Sequence, residues 1–177
     1  MVQKHNGMRP QDVLILLKKT TSSGQNMLNK HLAGSLRISA SEVTEALERC
    51  RIAKLVDGTK KRVNIMAFEE FLIYGLKYVF PAQPGSTVRG IPTAFSASPM
   101  KELISQGMER YVWACSKGTE RGQSIEPLYK TVPEIVNGDA ELYELLAIVD
   151  TIRVGRIREI TIAVNELKKR FITYGKY

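Results

Sequence analysis

Metal-binding and catalytic chemistry need certain side chains at certain spacings, and this chain holds few of them. Cys50 and Cys115 stand 65 positions apart, which is neither a disulfide framework nor a zinc spacing, so both are expected as reduced thiols. His5 and His31 have no Cys or His neighbour at ligand spacing. The stretch "GSTVRGIPT" offers glycines and Arg89 but lacks the strand-loop-helix context of a nucleotide-phosphate site. Ser98, Ser105 and Ser116 have no recognisable base and no nucleophile elbow. What the chain does group is cations: Lys30 with His31, the run Lys60-Lys61-Arg62, and Arg153, Arg156 and Arg158 around Gly155. Such groups make charge-assisted bonds to anionic oxygens, phosphate above all. The expectation is binding without catalysis, with no metal and no cofactor.

The charge is uneven. Residues 1–80 hold 13 Lys/Arg against 7 Asp/Glu, and residues 81–177 hold 13 against 11, so the front half carries most of the net +8. A basic module beside a near-neutral one suggests a polyanionic partner for the first. At 44% hydrophobic and 25% charged the chain has enough apolar content for a core. The segment "MVQKHNGMRPQ" has no apolar region of the kind a secretory signal carries. The most apolar runs, "FLIYGLKYVF" and "LYELLAIVD", are too short to span a bilayer. A cytoplasmic location with no membrane contact is expected.

The elements that must position these cations follow from periodicity. Residues 1–8 read as a mobile tail. Helices are expected over Asp12 to Lys19, Met27 to Leu36, Ala40 to Cys50 and Ala67 to Val79, with "TTSSGQN" a loop. Ala53 to Asp57 and Arg62 to Ile65 read as strands joined by the turn "GTKK". Pro81 to Pro99 is rich in Pro, Gly and Ser and reads as a linker or functional loop. Beyond it, Arg110 to Cys115 is a candidate strand with Trp113 in the core, and "KGTERGQSIEP" reads as turns. Two amphipathic helices close the chain. One carries Leu142, Leu145, Leu146, Val149 and Ile152 on a face, the other Ile157, Ile160, Val164, Leu167 and Phe171.

The stretch "LAGSLRISASEVTEALERCRIAKLVD", Leu32 to Asp57, makes a tight corner between two helices. Ser39 and Glu42 form an S-x-x-E capping box that marks a helix start. Val43, Ala46, Leu47 and Cys50 then make a core-facing stripe at i, i+3, i+4 and i+7. Leu32 and Leu36 face inward on the preceding helix, Ala33 is small where the helices approach, and Ile38 plugs the corner. With "GTKK" as a wing tip, residues 10–79 resemble the winged helix-turn-helix regulators of the MarR and ArsR type. In that family the corner residue is usually glycine; here it is Arg37, which can hold the left-handed conformation at a cost of roughly 1 kcal/mol.

The resemblance implies a fold and a function. The fold class expected is mainly α with a small β part (α+β). A winged helix-turn-helix DNA-binding domain (1–79) leads through a connection (80–100) to an α-rich domain (101–177) for dimerisation or effector binding. The third helix would enter the major groove of double-stranded DNA, with Ser39, Ser41, Thr44, Glu45 and Arg49 at bases or phosphates. Lys60, Lys61 and Arg62 at the wing, and Lys30 and His31 on the second helix, would contact the backbone. Glu45 repels phosphate unless it accepts from a cytosine amino group. For Arg153, Arg156 and Arg158 two readings stay open: capping and ion pairing, for example Arg153 with Asp150, or a second anion contact. The whole reads as a sequence-specific regulator, a repressor acting as a homodimer through Ile157, Ile160, Val164, Leu167 and Phe171. The alternative is a protein-interaction or antitoxin-like subunit whose winged helix docks another protein.

Overall fold

The computed structural model describes residues 7–105 and 107–174; most of the expected tail, with His5, lies outside the described residues. Helix α1 (Pro10–Thr20) starts at a proline in its first turn and is buried along almost its whole length. It is followed by α2 (Asn29–Leu36) and α3 (Ala40–Ile52). The two strands expected after α3 are not there. The chain makes a turn over residues 53–55, and the single bridge Val56–Val63 is all the β pairing of that hairpin. Lys54 takes a positive φ and Asn64 turns into the next helix, which leaves no length for a ladder. That helix is one continuous rod: α4 (Ile65–Glu70), a π-helical turn (Phe71–Gly75) and α5 (Leu76–Val79).

The stretch expected as a linker or loop is instead a structural part. It supplies strand β1 (Thr87–Pro92) and a short 3-10 turn (Ala94–Ser96), and is followed by α6 (Met100–Leu103). Strands β2 (Tyr111–Ala114) and β3 (Glu120–Ser124) complete a closed three-stranded sheet. β1 runs antiparallel to both, and β2 pairs with β3 in parallel. So small a closure brings backbones together where side chains cannot fit. A Cβ on Gly90 would lie 2.1 Å from the Trp113 carbonyl oxygen, and one on Gly118 would lie 2.2 Å from Gly90. The glycines that made 81–99 look like a loop are what let it be a strand.

After α7 (Val132–Ile135) come α8 (Ala140–Val154) and α9 (Ile157–Tyr174). The expected α8 stripe, Leu142, Leu145, Leu146, Val149 and Ile152, is fully buried, and so are Ala147 and Ile148 on its other sides. α8 is therefore a central helix, touching α1, α5, α6 and α9. One cluster of buried apolar side chains runs through both halves, from Leu14 and Leu47 to Phe68, Leu146 and Phe171. The α9 stripe divides. Leu167 and Phe171 are buried inside the single chain, with the Phe171 ring stacked 5.9 Å from Phe68. Ile160 and Val164 are half-buried and Ile157 is exposed. The dimer stripe expected from the sequence is thus split: Leu167 and Phe171 are core within one copy, where α9 packs against α8 and α4.

Asp150 sits almost without exposure on α8 and is fully provided with donors. Its Oδ2 accepts from Trp113 Nε1 at 2.7 Å and Thr93 Oγ1 at 2.8 Å. Its Oδ1 accepts from Arg153 at 2.7 Å. Arg153 in turn donates to the carbonyls of Phe80 and Glu126 at 3.0 Å each. This corrects the anion-site reading of Arg153, whose side chain is spent inside. Tyr143 adds a bond to the Pro92 carbonyl at 2.7 Å; burial, with the charge of Glu120, pushes its hydroxyl up to about 12, so it stays a donor. Replacing Asp150 by Asn leaves the Arg153 charge buried and uncompensated. Asp150→Asn is expected to cost about 3–5 kcal/mol of stability, read as a lowered urea midpoint. An unchanged midpoint would show the network to be ornamental.

Candidate functional site

The corner is built by apolar contacts beneath and left-handed backbone above. Leu32, Leu36, Ile38, Val43, Ala46, Leu47 and Cys50 are buried, as their spacing requires. Arg37 has φ 52° and ψ 42°, the left-handed conformation that a glycine would adopt freely. Ser39 caps α3 by accepting from the Glu42 backbone N–H at 3.2 Å. The other half of the box is missing, because the Glu42 carboxylate turns away to Arg49 and Gln11. Burial also disposes of Cys50 as a nucleophile: it pushes the thiol far above its usual range.

Arg49, expected on the outward face of α3, is buried instead. Its guanidinium grips Asp12 of α1 through two bonds of 2.8 and 2.7 Å, and Glu42 through a third of 2.5 Å. Asp12 has no exposure at all and also accepts from the Arg9 backbone N–H at 3.0 Å. Arg49 therefore locks α3 against α1 and reads nothing. The bonds to Asp12, foremost, hold the guanidinium above even its ordinary pKa.

What remains on the outward face is Ser41, Thr44, Glu45, Glu48, Arg51 and Ile52. The Thr44 hydroxyl donates back to the Ala40 carbonyl at 2.9 Å, and the Ser39 and Ser41 hydroxyls lie 3.1 Å apart. Glu48 pairs with Arg51 at 2.6 Å and with Lys60 at 3.2 Å. The Arg51 bond, then the Lys60 bond, hold its carboxyl down at about 2. So Lys60 is already engaged by a carboxylate. Lys61 and Arg62 are exposed, and among the described residues neither has a carboxylate within ion-pair distance. The same holds for Lys30 and for Lys54, a cation that no sequence pattern singles out. His31 is exposed beside Lys30.

The turn that carries Lys61 and Arg62 is preformed. Asp57 accepts from Thr59 Oγ1 at 2.6 Å and from the backbone N–H groups of Lys61 at 2.9 Å and Arg62 at 3.1 Å. The Thr59 bond first, and the Arg62 one next, hold its carboxyl below the usual range. Lys60 takes the positive φ that such a tip needs. Arg156 and Arg158 are exposed at the start of α9, where the Arg156 backbone N–H donates to Glu159 at 2.8 Å. Glu144, within reach of the same helix, is taken by Arg170 at 2.8 Å.

No helix among the described residues is long and apolar enough to cross a membrane. Comparison of the chain with protein-family models, with curated proteins and with solved structures gives no match.

Two outcomes follow from the Arg49 network. Arg49→Met should lower stability by about 3–5 kcal/mol by leaving Asp12 alone in the core, measured by urea denaturation. Burial alone would raise the pKa of Glu42, but bonds from Arg49 and Gln11 and the charge of Arg9 outweigh it, so the folded value lies below the ordinary one. A depressed carboxyl stabilises the fold above its unfolded pKa, and that contribution fades as pH falls through the folded value. Glu42→Gln should therefore be less stable than wild type at neutral pH, with the gap narrowing in acid. A gap that stays constant with pH would mean Glu42 contributes shape, not charge.

Proposed function

We propose that residues 10–79 form a winged helix-turn-helix module that binds double-stranded DNA and that the protein acts as a transcriptional regulator. The observation that carries this reading is the grouping around α3. Its outward face is short and polar at Ser41, Thr44 and Glu45, as a base-reading face must be. Exposed cations stand on α2 at Lys30 and on the hairpin tip at Lys61 and Arg62, none within ion-pair distance of a carboxylate among the described residues, although the Asp57 charge is felt at Arg62. A helix presents its outward face to a groove, and flanking cations meet the phosphates on either side. With Arg49 and Lys60 otherwise engaged, sequence reading falls to few side chains, and backbone contacts supply most of the affinity. The regulator is taken to act as a repressor on a two-fold site, without chemistry of its own.

A second reading rests on Glu45 and Glu48, both on the outward face of α3. Arg51 and Lys60 pair with Glu48. Glu45 has only the edge of the Arg49 guanidinium, at 3.9 Å. Such a face suits a basic protein surface better than a phosphate backbone, which is the interaction-subunit reading.

Binding to random and to selected duplexes, followed by fluorescence anisotropy across salt concentration, separates the two. Lys61→Ala with Arg62→Ala should weaken binding to all duplexes alike and reduce the salt slope by about two, near 0.9 for each phosphate no longer neutralised. Thr44→Ala should change preference at one base position by roughly 1–3 kcal/mol. Wild-type protein with no salt-dependent DNA binding but a stable hetero-complex would displace the first reading in favour of the second.

A further inference from the structure

The rod from Ile65 to Val79 buries Phe68, Leu72 and Leu76 completely. Its opposite side is strongly apolar and bare: Met66 is 84% exposed, Tyr74 69% and Tyr78 74%. Val79 ends the same rod half-exposed, and Ile172 of α9 stands exposed alongside. Between the rod and α9 lies a groove of about 710 Å³, lined by Ile65, Ile73 and Phe171 with Lys168 at its rim. Single exposed apolar residues are ordinary, but several large ones gathered on one side of a helix mark a contact surface.

The helix is shaped to keep these residues in line. In the π-turn the Leu76 backbone N–H bonds to the Phe71 carbonyl, five residues back. A wide turn rotates less per residue, so Met66, Glu70, Tyr74 and Tyr78 follow one another at spacings of four without spiralling away. Gly75 gives the turn room, since a Cβ there would press to 3.0 Å from the Phe71 ring.

The charges say what covers the patch. Glu69 and Glu70 precede the middle of the rod, and Lys77 follows it. Among the described residues none of the three is in an ion pair; Lys77 instead lies 5.0 Å over the Tyr78 ring. Turn a second rod end for end about the point between Ile73 and Tyr74, and Glu70 of each copy meets Lys77 of the other. Ile73 then meets Tyr74 at the axis. The rod is its own complement when antiparallel, which is the property of an isologous two-fold contact. The geometry points to a homodimer of this chain formed by antiparallel pairing of the Ile65–Val79 rods, with Tyr74 at the two-fold axis and Glu70–Lys77 pairs on either side.

Sedimentation velocity of the full chain over a range of concentrations tests this, and no part of it involves DNA, so it fails or stands apart from the proposed function. Wild type is expected to dimerise in a concentration-dependent way. Tyr74→Asp should abolish the dimer and, at concentrations low enough for wild type to be monomeric, leave the urea midpoint unchanged, because the ring is outside the core. Glu70→Lys and Lys77→Glu should each weaken dimerisation about tenfold by setting like charges together. The double exchange should restore it, as only an antiparallel self-contact would. A wild type that stays monomeric, a dimer indifferent to Tyr74→Asp, or a double exchange that fails to restore association would each overturn the inference.

Discussion

The arrangement hangs on a charge that has no business in a core. Asp150 lies on the central helix, sealed from water, and its carboxylate is tolerable only because the Trp113 indole, the Thr93 hydroxyl and the Arg153 guanidinium all converge on it. Each donor comes from a different place: strand β2, the residue directly after β1, and the next turn of α8 itself. Satisfying one carboxylate therefore fixes the sheet against α8. Through the second and third bonds of Arg153, it also fixes the end of α5 and the segment after β3. A buried ion pair adds little net stability compared with apolar packing. It does tie position to charge, since a shift of the sheet would take the Trp113 and Thr93 donors from the carboxylate and leave it with Arg153 alone.

The front helices are tied to this centre by a separate set of polar contacts. Lys18 at the end of α1 meets Asp139, the cap of α8, at 2.5 Å. Ser22 gives both its N–H and its hydroxyl to Glu141 at 2.7 Å. The Thr131 hydroxyl donates to the Leu36 carbonyl at the end of α2, at 2.8 Å. These contacts place the α2–α3 corner at a fixed attitude to the back of the molecule. The surface proposed to meet DNA and the rod proposed to meet a second copy are thus parts of one frame, continuous through the shared apolar cluster.

Much of this was legible in the sequence, and what was not shares a cause. Periodicity reports where apolar side chains must be buried, and it located α3, α8 and α9 and the buried stripes of α3 and α8. It is blind to a buried charge whose partner is far along the chain. Arg49 looks like a solvated helix residue because nothing near it in sequence announces Asp12, 37 positions earlier. β2 stands where a strand was expected, within Arg110 to Cys115 and with Trp113 buried, but β1 and β3 escape for the opposite reason. β1 needs Gly90 for close approach and β3 reads as "ERGQS", so their composition signals turns even while the closed sheet makes ladders of them. The α9 stripe reads as a face that must be covered, and at Leu167 and Phe171 it is. One part of that cover, the Phe68 ring against Phe171, lies about a hundred positions away, where no local pattern could show it.

Arg37 bends the chain in a conformation that disfavours side chains by roughly 1–2 kcal/mol, and it reaches out to an exposed pair with Glu134 of α7. A surface pair of that kind returns about 0–1 kcal/mol. A glycine here would relax the backbone, lose the pair, and also leave the unfolded chain freer, which subtracts again from its gain. The three effects are of similar size and opposed sign. Arginine and glycine at position 37 should therefore leave the protein at nearly the same stability, without disturbing what the corner holds.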